Sequence, residues 1–239
     1  MSIVLITGSG RRIGRGLAIR FAEKGWDVII HYNSSDKKAD ETGKLIKEIG
    51  VRTITVKADV RNQGEIQNVF TKAVEQVGIP DVLINNAGIY PLPVQLNDIS
   101  DELWNDTLNI NLRGEFYFSK VYAEKAKEGR IINFASLGGL EVWNHRIPYN
   151  VSKAAAIQLT KALAKELAPG FSVNCICPGT IEIPDEPPSE KIRINPDKIP
   201  MKRNGNVDDI FDAVFFFSTC SKYITGQVLC VDGGYHISR

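Results

Sequence analysis

Short apolar runs punctuate the chain at residues 3–7, 27–32, 53–58, 82–85, 130–135, 172–176 and 227–231, with amphipathic stretches between them. Runs such as Ile3-Val4-Leu5-Ile6 and Val82-Leu83-Ile84 are continuous and do not alternate, as expected of strands buried on both faces. The intervals repeat apolar positions three and four residues apart, as Leu17, Ala18, Phe21 and Ala22 do in a helix expected to begin near Arg15. Strands alternating with helices in this way predict an α/β fold: one doubly wound domain, residues 1–239, with a seven-stranded parallel sheet flanked by helices.

One segment breaks the rhythm. Residues 180–206 carry prolines at 184, 187, 188, 196 and 200 among charged residues without core periodicity, and a loop that long predicts a substrate lid. Composition places the chain among ordinary globular proteins, at 43% hydrophobic and 24% charged residues. A formal charge of +1 supplies no field for nucleic acid or for a membrane surface, so neither is expected as a partner. The start Met1-Ser2-Ile3-Val4 lacks the pattern of a signal peptide and no long apolar run follows, which gives a cytoplasmic expectation. Cys175 and Cys177 alternate within an apolar run, a spacing that suits buried thiols and not a zinc or redox pair, and no metal site is expected.

Chemistry concentrates in two places. Directly after the first predicted strand comes Thr7-Gly8-Ser9-Gly10-Arg11-Arg12-Ile13-Gly14, followed by a helix, the setting in which glycines let a backbone turn approach a pyrophosphate at a helix start. Farther on stand Ser136, Tyr149 and Lys153. Tyr149 and Lys153 lie four apart in a helical pattern and share a face, so an ammonium is expected to lower the phenol's pKa and make it a proton-transfer group. Ser136 can donate to the same oxygen or to a substrate carbonyl.

These motifs, with Asn85-Asn86-Ala87-Gly88, Asp59-Val60, Asn111, Pro178-Gly179 and Val231-Asp232-Gly233-Gly234 in order, resemble the short-chain dehydrogenase/reductase family from end to end. The resemblance implies a Rossmann domain and hydride transfer between a nicotinamide and a carbonyl or alcohol carbon, with a homotetramer or homodimer as the assembly. It further implies Tyr149 as acid/base, Ser136 on the substrate oxygen, Lys153 on the nicotinamide ribose and Asn111 steadying a proton-relay water. Cofactor contacts are expected from Gly8, Ser9, Arg11, Arg12, Ile13 and Gly14, from His31, Asn33, Ser34 and Ser35, from Asp59 and Val60, from Asn86, Ala87 and Gly88, and from Pro178, Gly179 and Ile181.

Two positions depart from the family pattern: Arg12 replaces a middle glycine, and Ile183 replaces a threonine that often meets the nicotinamide. A guanidinium in the phosphate turn suits a 2′-phosphate, and the second strand ends His31-Tyr32-Asn33-Ser34-Ser35 without the acid of NAD-preferring members, while Asp36 is expected to start the next helix. The expectation is therefore NADP(H) over NAD(H). Tyr90 and Trp143 are placed in the substrate pocket. Arg12 and Tyr90 resemble pteridine reductases, but those enzymes carry an aspartate where this chain has Ser136, so the leading expectation is a reductase of 3-oxoacyl groups or small ketones. Pteridine reduction is the second reading and a non-catalytic NADP-binding module the third. An acyl-thioester substrate on a carrier protein would suit basic residues near the entrance, for which Lys191, Arg193, Lys198, Lys202 and Arg203 are candidates.

Overall fold

In the computed structural model, which describes residues 2–183 and 195–238, seven strands form one parallel sheet. They are β1 (Ile3–Ile6), β2 (Asp27–Tyr32), β3 (Thr53–Lys57), β4 (Val82–Asn85), β5 (Gly129–Phe134), β6 (Phe171–Pro178) and β7 (Val228–Val231), in the order β3-β2-β1-β4-β5-β6-β7. The helices are α1 (Arg12–Glu23), α2 (Asp36–Ile49), α3 (Gln63–Gln76), α4 (Asp101–Leu108), α5 (Gly114–Lys125), α6 (Ile147–Glu166) and α7 (Val207–Thr219). Every expected strand is present, with ends shifted by at most two residues.

The continuous apolar runs have the expected cause. Along β1, Leu5 faces a core shared with α3 and α5, whereas Val4 and Ile6 face a second core shared with α1 and α7. Strand residues of both parities are thus withdrawn from water, and each fully buried Leu or Ile is worth about 1.5–3 kcal/mol. Chain order reverses between β1 and β4, so the connections leave their C-terminal ends in opposite directions and open a crevice there.

Two local departures bear on the site. Helix α1 begins at Arg12, three residues ahead of the start expected near Arg15, and Arg12 itself has φ 53°, a left-handed conformation that favours glycine. The stretch Asn109–Arg113 between α4 and α5 is a π-helical turn, not regular α-helix. Asp36 is the first residue of α2, as expected. Of the expected lid, residues 184–194 lie outside the described residues. At its flanks Ile181 pairs with Gly205 in a parallel bridge.

Candidate active site

The glycine turn is fastened to the end of β4. Thr7 Oγ1 accepts from the backbone N–H groups of Asn86 at 3.0 Å and Ala87 at 2.9 Å, and Asn86 Nδ2 donates to Thr7 O at 2.8 Å. Two glycines make this approach feasible: a Cβ on Gly8 would stand 2.9 Å from Ala87 Cα, and one on Gly14 would stand 2.5 Å from Gly8 O. At Gly8 and Gly14 the turn therefore presents bare backbone near the start of α1, as a pyrophosphate-binding cradle requires.

His31 and Ser9 do different work from that expected. His31 is 1% exposed; Gly8 N donates to its Nδ1 at 3.1 Å, and its Nε2 lies 3.0 Å from Ala58 O. That arrangement places the proton on Nε2, and burial pushes the imidazole pKa down to about 4, so the ring is neutral. The hydroxyl of the fully buried Ser9 donates to Ile6 O at 2.7 Å. Both side chains brace the turn from behind instead of reaching a ligand. Beside them, the Asp59 carboxylate is held below its ordinary range by Arg61, and Asn33 hydrogen-bonds the same carboxylate. Val60 is buried against Gly114, whose Cβ would stand 2.9 Å from the valine Cβ.

The second cluster assembles where β5 and α6 meet. Ser136 follows β5, and the tight turn Leu137–Gly139 brings it back against α6, because a Cβ on Gly139 would stand 2.6 Å from the Lys153 carbonyl carbon. Ser136 Oγ accepts from Gly138 N at 3.2 Å and stands beside the half-buried Tyr149, whose pKa it lowers. One turn farther, Lys153 Nζ donates to Phe134 O at 2.5 Å. The π-turn swings Asn111 inward: its Oδ1 accepts from Ile89 N at 2.8 Å, and its Nδ2 donates to Ile89 O at 3.0 Å and Ser152 Oγ at 3.1 Å. A Cβ on Gly88 would come within 3.2 Å of Asn111 Oδ1 and 3.7 Å of Lys153 Nζ, which joins the glycine-rich crevice to the cluster around Tyr149.

Comparison with known proteins agrees with this geometry. The family model described as Enoyl-(Acyl carrier protein) reductase matches residues 8–236. The chain belongs to the short-chain dehydrogenase/reductase family. An uncharacterized oxidoreductase of Thermotoga maritima is 37% identical over 97% of this chain and 96% of its own. A 3-oxoacyl-[acyl-carrier-protein] reductase of Staphylococcus epidermidis is 35% identical over 98% of each chain. Among solved structures, a short-chain dehydrogenase of Burkholderia cenocepacia in complex with NADP superposes with a TM-score of 0.90 at 31% identity, covering 98% of this chain and 97% of that one. A short-chain dehydrogenase/reductase of Serratia marcescens gives 0.91 at 28% identity over 98% of both.

One expectation about this short-chain dehydrogenase/reductase changes sign. The Tyr149–Lys153 spacing predicts an acidified phenol, yet burial pushes Tyr149 up to about 12, opposed by the neighbouring Ser136. The lysine ammonium is engaged elsewhere, with Phe134 O and with Glu115, whose Oε1 is 3.8 Å from Nζ. Glu115 is 3% exposed, and among the described residues neither carboxylate oxygen has a hydrogen-bond partner. Burial raises its pKa well above the usual range, against the pull of Lys153. Sequence reasoning passed over Glu115, although it stands four residues after Asn111 and so shares its side of the chain.

Tyr90 and Trp143 do gather at the phenol. The Tyr90 ring meets Tyr149 edge-on at 4.6 Å between centroids, and Trp143 lies nearly parallel to Tyr149 at 6.1 Å. Arg146, three residues before Tyr149, is buried with its guanidinium 4.1 Å over the Tyr90 ring. A groove beside Tyr90 is lined by Ile89, Leu92, Val94 and Leu103 and by the polar Ser100, Glu102 and Asp106. The basic entrance residues fare differently. Arg203 pairs with Asp209 at 2.6 Å, Lys202 Nζ donates to Asp197 O at 2.7 Å, and Lys191 and Arg193 lie outside the described residues. Pro178 ends β6, where Gly179 N donates to Val231 O at 3.0 Å.

Proposed function

We propose that this short-chain dehydrogenase/reductase is an NADP(H)-dependent enzyme that interconverts a carbonyl and an alcohol, of the 3-oxoacyl or small-ketone reductase type. The observation that carries the reading is Tyr149 set beside Ser136 against an aromatic wall of Tyr90 and Trp143, with Lys153 one turn farther on. A nicotinamide dinucleotide fits the residues present: the crevice over Gly8, Gly14 and Gly88 has no room for side chains, and Lys153 borders it. Gly8 to Gly14 would hold the pyrophosphate, Asp59 and Val60 the adenine end, Asn86 to Gly88 the ribose path, and Pro178, Gly179 and Ile181 the nicotinamide side. When bound, the nicotinamide supplies or accepts the hydride.

Tyr149 then gives the proton to the carbonyl oxygen as that oxygen gains negative charge, and Ser136 holds the same oxygen. A phenol kept protonated by burial is an acid in its donating form at neutral pH, which favours reduction. Lys153 steadies the ribose, and Asn111 keeps the Ile89 loop in place while bordering the relay. NADP(H) preference rests on Arg12 in the phosphate turn and on Asp36, whose carboxylate is engaged by Lys57 at 3.1 Å. Exposed Phe116 on α5 and Ile147 and Val151 on α6 give a homotetramer or homodimer its contact face, and the location is read as cytoplasmic. Pteridine reduction is the second reading, favoured by Tyr90 standing against the catalytic phenol.

The test is NADPH oxidation measured side by side with acetoacetyl thioesters, small diketones and dihydropterins. Turnover of the carbonyl compounds alone supports the first reading; turnover of pterins alone replaces it with the second. NADPH binding without turnover of any of them leaves a binding module.

A further inference from the structure

Arg146 is only 6% exposed, yet among the described residues its guanidinium enters no ion pair, and its Nη1 is buried without a hydrogen-bond partner. A buried cation without a counter-charge is costly by several kcal/mol. Every other buried charge near the site has one: Lys153 faces Glu115, as Asp27 elsewhere takes Arg52 at 2.7 Å. Among the described residues, the Arg146 guanidinium engages the face of Tyr90, at 4.1 Å. Cation–π contact offsets part of the cost but leaves the N–H donors of Nη1 unspent.

The surroundings make this a built position. Arg146 is the residue that caps the N-terminus of α6, the helix carrying Tyr149 and Lys153. Partial positive charge at a helix N-terminus disfavours a cation and favours an anion, so helix and guanidinium call for the same partner. Exposed His145, just before it, is held at φ 60°, a strained conformation for a non-glycine residue. Val94 N donates to His145 O at 3.0 Å, which fastens the loop carrying Tyr90 to this turn. Tyr90 in turn touches the catalytic phenol edge-on at 4.6 Å. The positive field of Arg146 reaches both phenols, lowering the pKa of each against the larger effect of burial.

We propose that Arg146 is the anion-recognition residue of the substrate pocket, and that the substrate is a small oxo acid whose carboxylate lies close to the reduced carbon. The inference rests on the carbonyl-reductase reading of the site. The carboxylate is a spectator: hydride goes to the carbonyl carbon, the Tyr149 proton goes to its oxygen, and the product is the corresponding hydroxy acid. A thioester of a carrier protein has no charge at that place. The proposal therefore separates free oxo acids from the acyl thioesters of the 3-oxoacyl reductases that this chain resembles.

The experiment compares kcat/KM for acetoacetate and pyruvate with that for their methyl esters, in the wild type and in Arg146→Lys and Arg146→Met. Circular dichroism and melting temperature serve as folding controls. Wild type is expected to prefer each acid over its ester by roughly 10- to 100-fold, the range of a charge-assisted hydrogen bond. The acid-to-ester ratio falls towards one in Arg146→Met and is partly kept in Arg146→Lys. No acid preference in the wild type, or an equal loss on acid and ester in Arg146→Met, overturns the proposal in favour of an effect exerted through Tyr149. Calorimetric titration of malonate into the NADP+-saturated protein gives a readout without turnover. Binding to wild type that weakens at least tenfold in Arg146→Met supports the anion site even if no ketone is reduced, and equal binding to both proteins overturns it.

Discussion

Glu115 Oε1 lies 3.8 Å from Lys153 Nζ, and both side chains are almost wholly withdrawn from solvent. Neither group is well served alone: among the described residues the carboxylate has no hydrogen-bond donor, and the ammonium has Phe134 O. Removing one member of such a pair strands the other, at a cost of about 3–5 kcal/mol. Glu115→Leu is expected to destabilise the fold on that scale, whereas Glu115→Leu combined with Lys153→Met recovers a large part of the loss. Denaturant melts of the two single variants and the double variant measure the coupling; strict additivity would show that the two groups do not interact.

Tyr149→Phe keeps the ring that packs on Tyr90 and Trp143 and deletes only the hydroxyl. Turnover of the best carbonyl substrate should fall by about 10²- to 10⁴-fold, the usual worth of a positioned general acid, with NADPH affinity largely retained. Stopped-flow hydride transfer and NADPH fluorescence separate the two quantities.

Since burial lifts the Tyr149 phenol to about 12, it is protonated throughout the neutral range. Reduction uses that form, so its rate should stay flat across neutral pH. Oxidation of the alcohol needs the phenolate, so its rate should climb as pH rises towards 12. An oxidation profile that levels off near neutrality would show that the phenol is acidified in the working complex.

His31 predicts how stability depends on pH. Its folded pKa of about 4 lies below the ordinary 6.5, so between those values the unfolded chain takes up a proton that the folded chain refuses. Stability contributed by the neutral ring is present above pH 6.5 and declines as pH falls towards 4, by up to roughly 3 kcal/mol. Urea titrations at stepped pH values should show this slope, and His31→Leu should flatten it.

Arg12 occupies a left-handed position at which glycine is unstrained. Arg12→Gly should leave stability unchanged or raise it by up to about 1 kcal/mol while weakening NADPH binding by roughly 10- to 100-fold and NADH binding far less. Dissociation constants for both nucleotides check it; a parallel loss for the two would remove Arg12 from the 2′-phosphate.

The sequence by itself determined the strands, the single parallel sheet and the grouping of Ser136, Tyr149 and Lys153. Apolar continuity, helical periodicity and short-range spacing are local properties, and runs such as residues 3–7 and 82–85 express them directly. Tertiary structure decided the rest. Whether His31 faces a ligand or braces Gly8, whether Lys153 spends its charge on Tyr149 or on Glu115, and whether Arg146 meets solvent or a ring all turn on contacts between distant segments. Charge and hydrogen-bonding capacity belong to a residue, but pKa and availability belong to its surroundings, and those exist only once β4, β5, α5 and α6 have packed together.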